Sequence, residues 1–127
     1  MKTCRAFATL ILAVVPFLAA RAEFQAGAVA LDVTPKQFPV LVNGGFLSRS
    51  ADTVTDRLHA RALALSDGKT EVALVVVDSC MMPKDLLDKA KAMAAERTGI
   101  PVERMLVSAT HTHTAPSSFG ALGTPAD

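Results

Sequence analysis

The residues of this chain that are best suited to do chemistry are two histidines, His111 and His113, within the stretch Thr110 to Thr114. Alternate residues of an extended chain point to the same side, so both imidazoles can reach one centre. A neutral imidazole keeps a free lone pair and is the commonest metal ligand in proteins. The pair predicts a metal-binding or catalytic site, against the alternative of two structural histidines. Since a catalytic zinc usually has three protein ligands, a further ligand is expected from beyond this segment.

The elements before the histidines predict where they lie. The apolar run Met105 to Val107 leads into them and predicts a strand. The stretch Pro83 to Thr98 predicts a helix, because proline suits the first turn, Gly99 is placed to cap the end, and Leu86, Leu87, Ala90, Met93 and Ala94 form one apolar stripe.

Earlier in the chain, Leu58 to Leu65 and Thr70 to Val77 flank an Asp67-Gly68 pair, which predicts a β-hairpin. The second strand, the helix and the strand before the histidines then form a βαβ unit with parallel strands. Ligands of open parallel sheets bind beyond the carboxyl ends of the strands. Asp78 and His111, which follow those two strands, are therefore expected at the same edge.

The N-terminal part predicts a further strand over Phe24 to Val33, closed by Thr34-Pro35. Residues 35–56 are rich in proline, glycine, asparagine and serine and predict a long loop, with one short strand at Val40 to Val42. The expected fold is α/β, with a mixed sheet made of a β-hairpin followed by a βαβ unit. We expect it to form part of a larger domain, since so few strands leave the edges of a parallel sheet poorly covered.

Residues 1–22 have the pattern of a signal peptide. Lys2 and Arg5 precede the apolar stretch Phe7 to Ala20, and Ala20-Arg21-Ala22 is an A-x-A cleavage signal. We expect cleavage there, with no stable transmembrane segment left, and export of residues 23–127 to a periplasm or the extracellular space. Residues 23–127 hold 10 basic and 12 acidic side chains, a net charge of −2. Nothing in this balance suggests nucleic acid or an anionic membrane as a partner.

Cysteine usage is sparse. Cys4 lies in the signal peptide, which leaves Cys80 alone in residues 23–127 and unable to form an internal disulfide. Because Cys80 follows the apolar run Val72 to Val77, a small buried apolar group is expected rather than a nucleophile.

Several short stretches in the same order resemble the N-terminal catalytic domain of the neutral/alkaline (non-lysosomal) ceramidases: Gly27 to Pro35, Asn43 to Phe46, Arg57 to Ala62, Val75 to Asp78 and Ala109 to Pro116. The last of these is the most specific, because it is close to that family's T-H-T-H-S-G-P. It departs from that pattern at Thr114-Ala115, where the family commonly has Ser-Gly. The resemblance covers nearly all of residues 23–127.

The resemblance implies a zinc-dependent amide hydrolase in the full-length protein, which cleaves the N-acyl bond of ceramide or a related N-acyl lipid to a fatty acid and an amine such as sphingosine. It implies that His111 ligates the catalytic Zn²⁺ and that His113 lies beside it and contacts the scissile amide or the product carboxylate. The family's other zinc ligands are a second His, a Glu and a Tyr further along its chain. They have no counterpart in this sequence.

Other polar residues have two interpretations each. Asp32 and Asp78 end predicted strands and either orient an imidazole or serve as turn or cap residues. Arg57, His59 and Arg61 alternate on one strand face, which favours a solvated face or internal ion pairs. Asn43-Gly44-Gly45 favours a flexible turn. The alternative is a loop that binds substrate through Asn43 and Gly44.

Two alternative functions stay open at this point. One is a metal-dependent hydrolase of the amidohydrolase barrel type, which also places an H-x-H at a strand end, although usually on the first strand of the barrel. The other is an exported fragment without catalytic activity, which serves in binding or structure.

Overall fold

The protein is described by a computed structural model that covers residues 23–121 and 123–127. The signal peptide predicted at residues 1–22 lies outside these residues. The elements are β1 (Gln25–Asp32), β2 (Val40–Val42), β3 (Arg49–Ala51), β4 (His59–Ser66), β5 (Glu71–Val77), α1 (Lys84–Thr98) and β6 (Met105–Ala109). None of the described helices has the length and hydrophobicity needed to cross a bilayer.

The main sheet has four strands in the order β1-β4-β5-β6. The pairs β1–β4 and β4–β5 are antiparallel, whereas β5 and β6 are parallel. The α/β fold with a mixed sheet, a hairpin and a βαβ unit is therefore confirmed. At the hairpin, the Asp67 carboxylate accepts hydrogen bonds from the backbone amides of Lys69 and Thr70 at 2.9 and 2.7 Å, and Gly68 has a φ of +81°.

The crossover helix α1 has the termini that its sequence predicts. Pro83 is the N-cap residue, and Gly99 ends the helix at a φ of +78°, with its amide donating to the carbonyl of Ala95 at 2.9 Å. The chain then turns through Val102–Arg104 into β6. Because of this crossover, β6 runs parallel to β5. The histidines follow at the carboxyl end of β6.

A second, two-stranded sheet joins β2 to β3, with Leu41 opposite Ser50. The sequence predicts β2 but not β3, whose residues Arg-Ser-Ala have no apolar alternation. The strand forms because β2 supplies its partner, and β2 is held in turn by the segment after the histidines. There, Val42 bridges to Pro116, and the Ser117 amide donates to the carbonyl of Leu41 at 2.8 Å.

The buried apolar residues form a small core. Among the described residues they are Val42, Cys80, Ile100, Met105 and Ala115. Met105 and Leu106 point to opposite faces of the sheet, and Leu106 is 60% exposed. The Met105 face is covered at β6 but not at β1, where Val29 and Leu31 on the same face are 52% and 59% exposed.

Candidate metal centre

The two histidines follow directly from the end of β6. The Thr110 amide donates to the carbonyl of Val77 at 2.9 Å, which extends the parallel pairing by one residue. His111 then takes a φ of +62°, a left-handed conformation that is uncommon for a residue with a side chain. The expectation that an extended chain aligns the two rings is therefore wrong. The rings meet through a backbone turn, with centroids 5.0 Å apart and planes at 75°.

The tautomer of His111 follows from its hydrogen bond. Its Nδ1 lies 2.8 Å from the carbonyl oxygen of Cys80. A carbonyl can only accept, so Nδ1 carries the proton and donates. This leaves the lone pair on Nε2, the arrangement commonly found for histidines that bind metals. The Cys80 carbonyl thus orients the His111 ring.

Cys80 is buried, as the sequence predicts, at 3% exposure. Its place beside the histidines is not predicted, since 31 residues separate it from His111. Its Sγ lies 3.8 Å from His111 Nδ1. One ligand atom from each of Cys80, His111 and His113 lies within 4.8 Å of the other two, so this group could hold a metal ion.

The turn between β2 and β3 lies against His113. Arg49, at the start of β3, donates from Nη2 to the carbonyl oxygen of His113 at 2.7 Å. Asn43 is 1% exposed, and its Nδ2 donates to the carbonyl of Phe119 at 2.7 Å. Gly44 lies directly against the His113 ring. The structure thus brings Asn43 and Gly44 to the site as its support, and their contact with a substrate stays a prediction.

The two strand-end aspartates form ion pairs. Asp78 accepts from the His59 amide at 2.8 Å and from Arg61 at 2.9 and 3.0 Å. Partial burial raises the pKa of Asp78, but the His59 amide and Arg61 lower it more, so the net pKa lies below its usual range. These partners of the Asp78 carboxylate lie on β4, and neither is an imidazole ring of the site, so the hydrogen bonds do not support the interpretation that Asp78 orients an imidazole.

Asp32 has a similar role at the end of β1. Hydrogen bonds from the Thr34 side chain and amide, followed by one from Arg57, lower its pKa. Its Oδ1 accepts from the Thr34 amide at 2.9 Å, and its Oδ2 pairs with Arg57. Asp32 therefore closes the turn after β1, as its alternative interpretation predicts.

A cavity of about 550 Å³ lies beside the site. Thr114, the residue after His113, lines it together with Arg49. Its apolar wall comes from the long loop and the second sheet, and includes Phe38, Val40, Val42, Val54 and Leu58. Sequence reasoning missed this cavity, because its walls come from separate loop segments with no shared periodicity.

A scan of the chain against protein-family models and a search among curated proteins both return no match.

Proposed function

We propose that this chain supplies the histidine pair of a zinc-dependent amide hydrolase similar to the neutral ceramidases. The observation that carries the proposal is the pairing of His111 and His113 with the Cys80 carbonyl on His111 Nδ1. That hydrogen bond presents Nε2 of His111 as a ligand, and both histidines are exposed to solvent. The donor set of imidazole nitrogens suits zinc.

The role of each residue follows from its contacts. Zinc, when bound, lowers the pKa of its water to about 7 and so supplies hydroxide for attack on an amide carbonyl. His111 would hold the ion through Nε2 while the Cys80 carbonyl keeps the ring oriented. His113, exposed beside it, is placed to donate a hydrogen bond to the amide oxygen or to carry a proton to the leaving amine.

The cavity supports an N-acyl lipid as substrate. It adjoins His113 through Thr114, and its lining combines valine, leucine and phenylalanine side chains with polar ones that include Arg49, Asp52 and Asp56. An acyl or other hydrocarbon chain could lie there while its amide reaches the histidines. We propose export through the N-terminal signal, with hydrolysis of ceramide or a related amide in the periplasm or outside the cell.

The sheet topology argues against the amidohydrolase alternative. A barrel of that type is built of parallel strands, each followed by a helix. Among the described strands, β4 pairs antiparallel with both β1 and β5, and the pair β5–β6 is the parallel one.

The decisive experiment measures bound zinc and fatty-acid release from an N-acylsphingosine in the full-length protein. His111→Ala is expected to remove the zinc and turnover, since it deletes a ligand. His113→Ala is expected to keep the zinc and lower the rate by roughly 10²- to 10⁴-fold, the usual effect of losing a general acid or base.

His59→Ala is the matched control, because it removes an imidazole that lies on β4 outside the pair. It should leave zinc and rate near wild type. Zinc retained with normal turnover in His111→Ala would overturn the proposal. Zinc binding without fatty-acid release would point to another hydrolase, and a wild-type protein without zinc would favour the non-catalytic alternative.

A further inference from the structure

We propose that Gly44 and Arg49, at the two ends of the β2–β3 turn, are positioning residues that hold the ring of His113 beside His111. The consequence for catalysis rests on the proposed function, whereas the placement of the ring can be tested without metal.

Gly44 leaves no space for a side chain. A Cβ built on it would lie 2.4 Å from Cγ, 2.7 Å from Cβ and 2.8 Å from Nδ1 of His113. Ordinary van der Waals contact between such atoms begins near 3.4 Å, so the imidazole would have to move. The φ of Gly44, +102°, is also one that side chains rarely allow. The backbone of Gly44 therefore packs directly against the imidazole of His113 and restricts the position of that ring.

Arg49 fixes the backbone that bears this ring. Its guanidinium donates to the carbonyl of His113 at 2.7 Å, a charge-assisted bond across the turn. The turn itself is anchored on its other side, where buried Asn43 donates to the carbonyl of Phe119 at 2.7 Å. The β2–β3 turn thus holds the segment from His113 to Phe119 at both ends, through Arg49 at His113 and Asn43 at Phe119.

Two other glycines serve as controls, because an alanine at either position would not clash with His113. Gly99 has a φ of +78°, and a Cβ added there would have no atom within 4 Å, so Gly99→Ala adds backbone strain alone. Gly45 lies in the same turn as Gly44, and its Cβ would come no closer than 3.4 Å to another residue, so Gly45→Ala adds neither a clash nor positive-φ strain. Gly44→Ala adds both.

The experiment uses the full-length protein. In the metal-free protein, we expect Gly44→Ala to abolish the nuclear Overhauser contact between the rings of His111 and His113, because the added Cβ displaces the His113 ring. The same variant should keep zinc bound, since His111 is unchanged, and should lower the rate of amide hydrolysis by roughly ten- to a hundredfold, as for loss of a residue that orients a functional group. Gly45→Ala and Gly99→Ala should keep both the rate and the contact. Wild-type rate and ring contact in Gly44→Ala would overturn the proposal.

A second pair of variants tests the positioning if Gly44→Ala does not fold. Arg49→Gln removes the guanidinium from the His113 carbonyl and should weaken the ring contact and lower the rate of amide hydrolysis by roughly tenfold. Arg49→Lys, which keeps a charged donor, should restore part of the loss. Unchanged rate and ring contact in Arg49→Gln would overturn the role of Arg49. If wild type does not hydrolyse the amide, the proposed function fails, while the ring contact still tests the positioning.

Discussion

At the scale of single residues, the site depends on a strained backbone at His111. Its φ of +62° is one that a residue with a side chain adopts at an energetic cost. Within the described part of the chain, no other non-glycine residue has a positive φ. The strain is held by the hydrogen bond from Nδ1 to the Cys80 carbonyl and by the pairing of Thr110 with Val77. Such conformations concentrate at functional sites, which fits a role for this ring in binding.

Cys80 offers two groups to the site, its backbone carbonyl and its thiol, and the hydrogen bond from His111 Nδ1 to the carbonyl favours a role for the carbonyl. An ion shared by Sγ and Nδ1 would require the 2.8 Å hydrogen bond to the Cys80 carbonyl to break. An ion on Nε2 leaves that bond intact. We therefore predict that Cys80→Ala keeps Co²⁺ affinity within about threefold of wild type, because the backbone carbonyl survives the substitution.

Titration of Co²⁺ followed by visible and near-ultraviolet absorption checks this prediction. The wild-type complex should show no thiolate charge-transfer band, and Cys80→Ser should behave as Cys80→Ala. A charge-transfer band in wild type, lost in both variants with a drop in affinity beyond tenfold, would make the thiolate a ligand instead.

At the scale of elements, Asp78 ties the end of β5 to the start of β4. It accepts from the His59 amide and from Arg61, and its side chain is 17% exposed. Its pKa is lowered in the folded protein, so the stability that it contributes is complete above the unfolded value of about 3.9. That stability is lost as the pH falls through the lower, folded pKa. Asp78→Asn should therefore cost about 1 kcal/mol at pH 7 and less near pH 2.

Denaturant unfolding of the full-length protein at both pH values measures this difference. Asp88→Asn is the control, because Asp88 pairs with Lys84 on the exposed face of α1 and such pairs contribute little. An equal cost for Asp78→Asn at pH 7 and pH 2 would show that the charge of Asp78 is unimportant.

Elements with local signals could be predicted from the sequence, and those set by distant contacts could not. The Asp67-Gly68 turn, the proline and glycine around α1, and the apolar strand β5 each carry their own signal, and the structure confirms them. The strand β3 depends on pairing with β2, and the turn at His111 depends on the carbonyl of Cys80, 31 residues earlier. Local patterns locate the histidine pair but do not show how it is held.

At the scale of the whole molecule, the sheet has an open apolar face. Leu63, Leu74 and Leu106 lie side by side across β4, β5 and β6 and are 36%, 39% and 60% exposed. The face that this row forms lies opposite the one that contains buried Met105. Exposed apolar surface of this kind, with the small core described above, stabilises a folded monomer poorly.

We therefore predict that residues 23–127, produced alone, associate at micromolar concentration and show no cooperative thermal transition. Their net charge of −2 gives little repulsion to oppose contact between the open faces. Leu106→Gln, which places an amide in the exposed row, should reduce the sedimentation coefficient towards that of a monomer. Leu86→Gln, on α1 and 46% exposed, should not, because it lies outside this row. A wild-type segment that sediments as a monomer and melts in one cooperative step would show that the small core suffices.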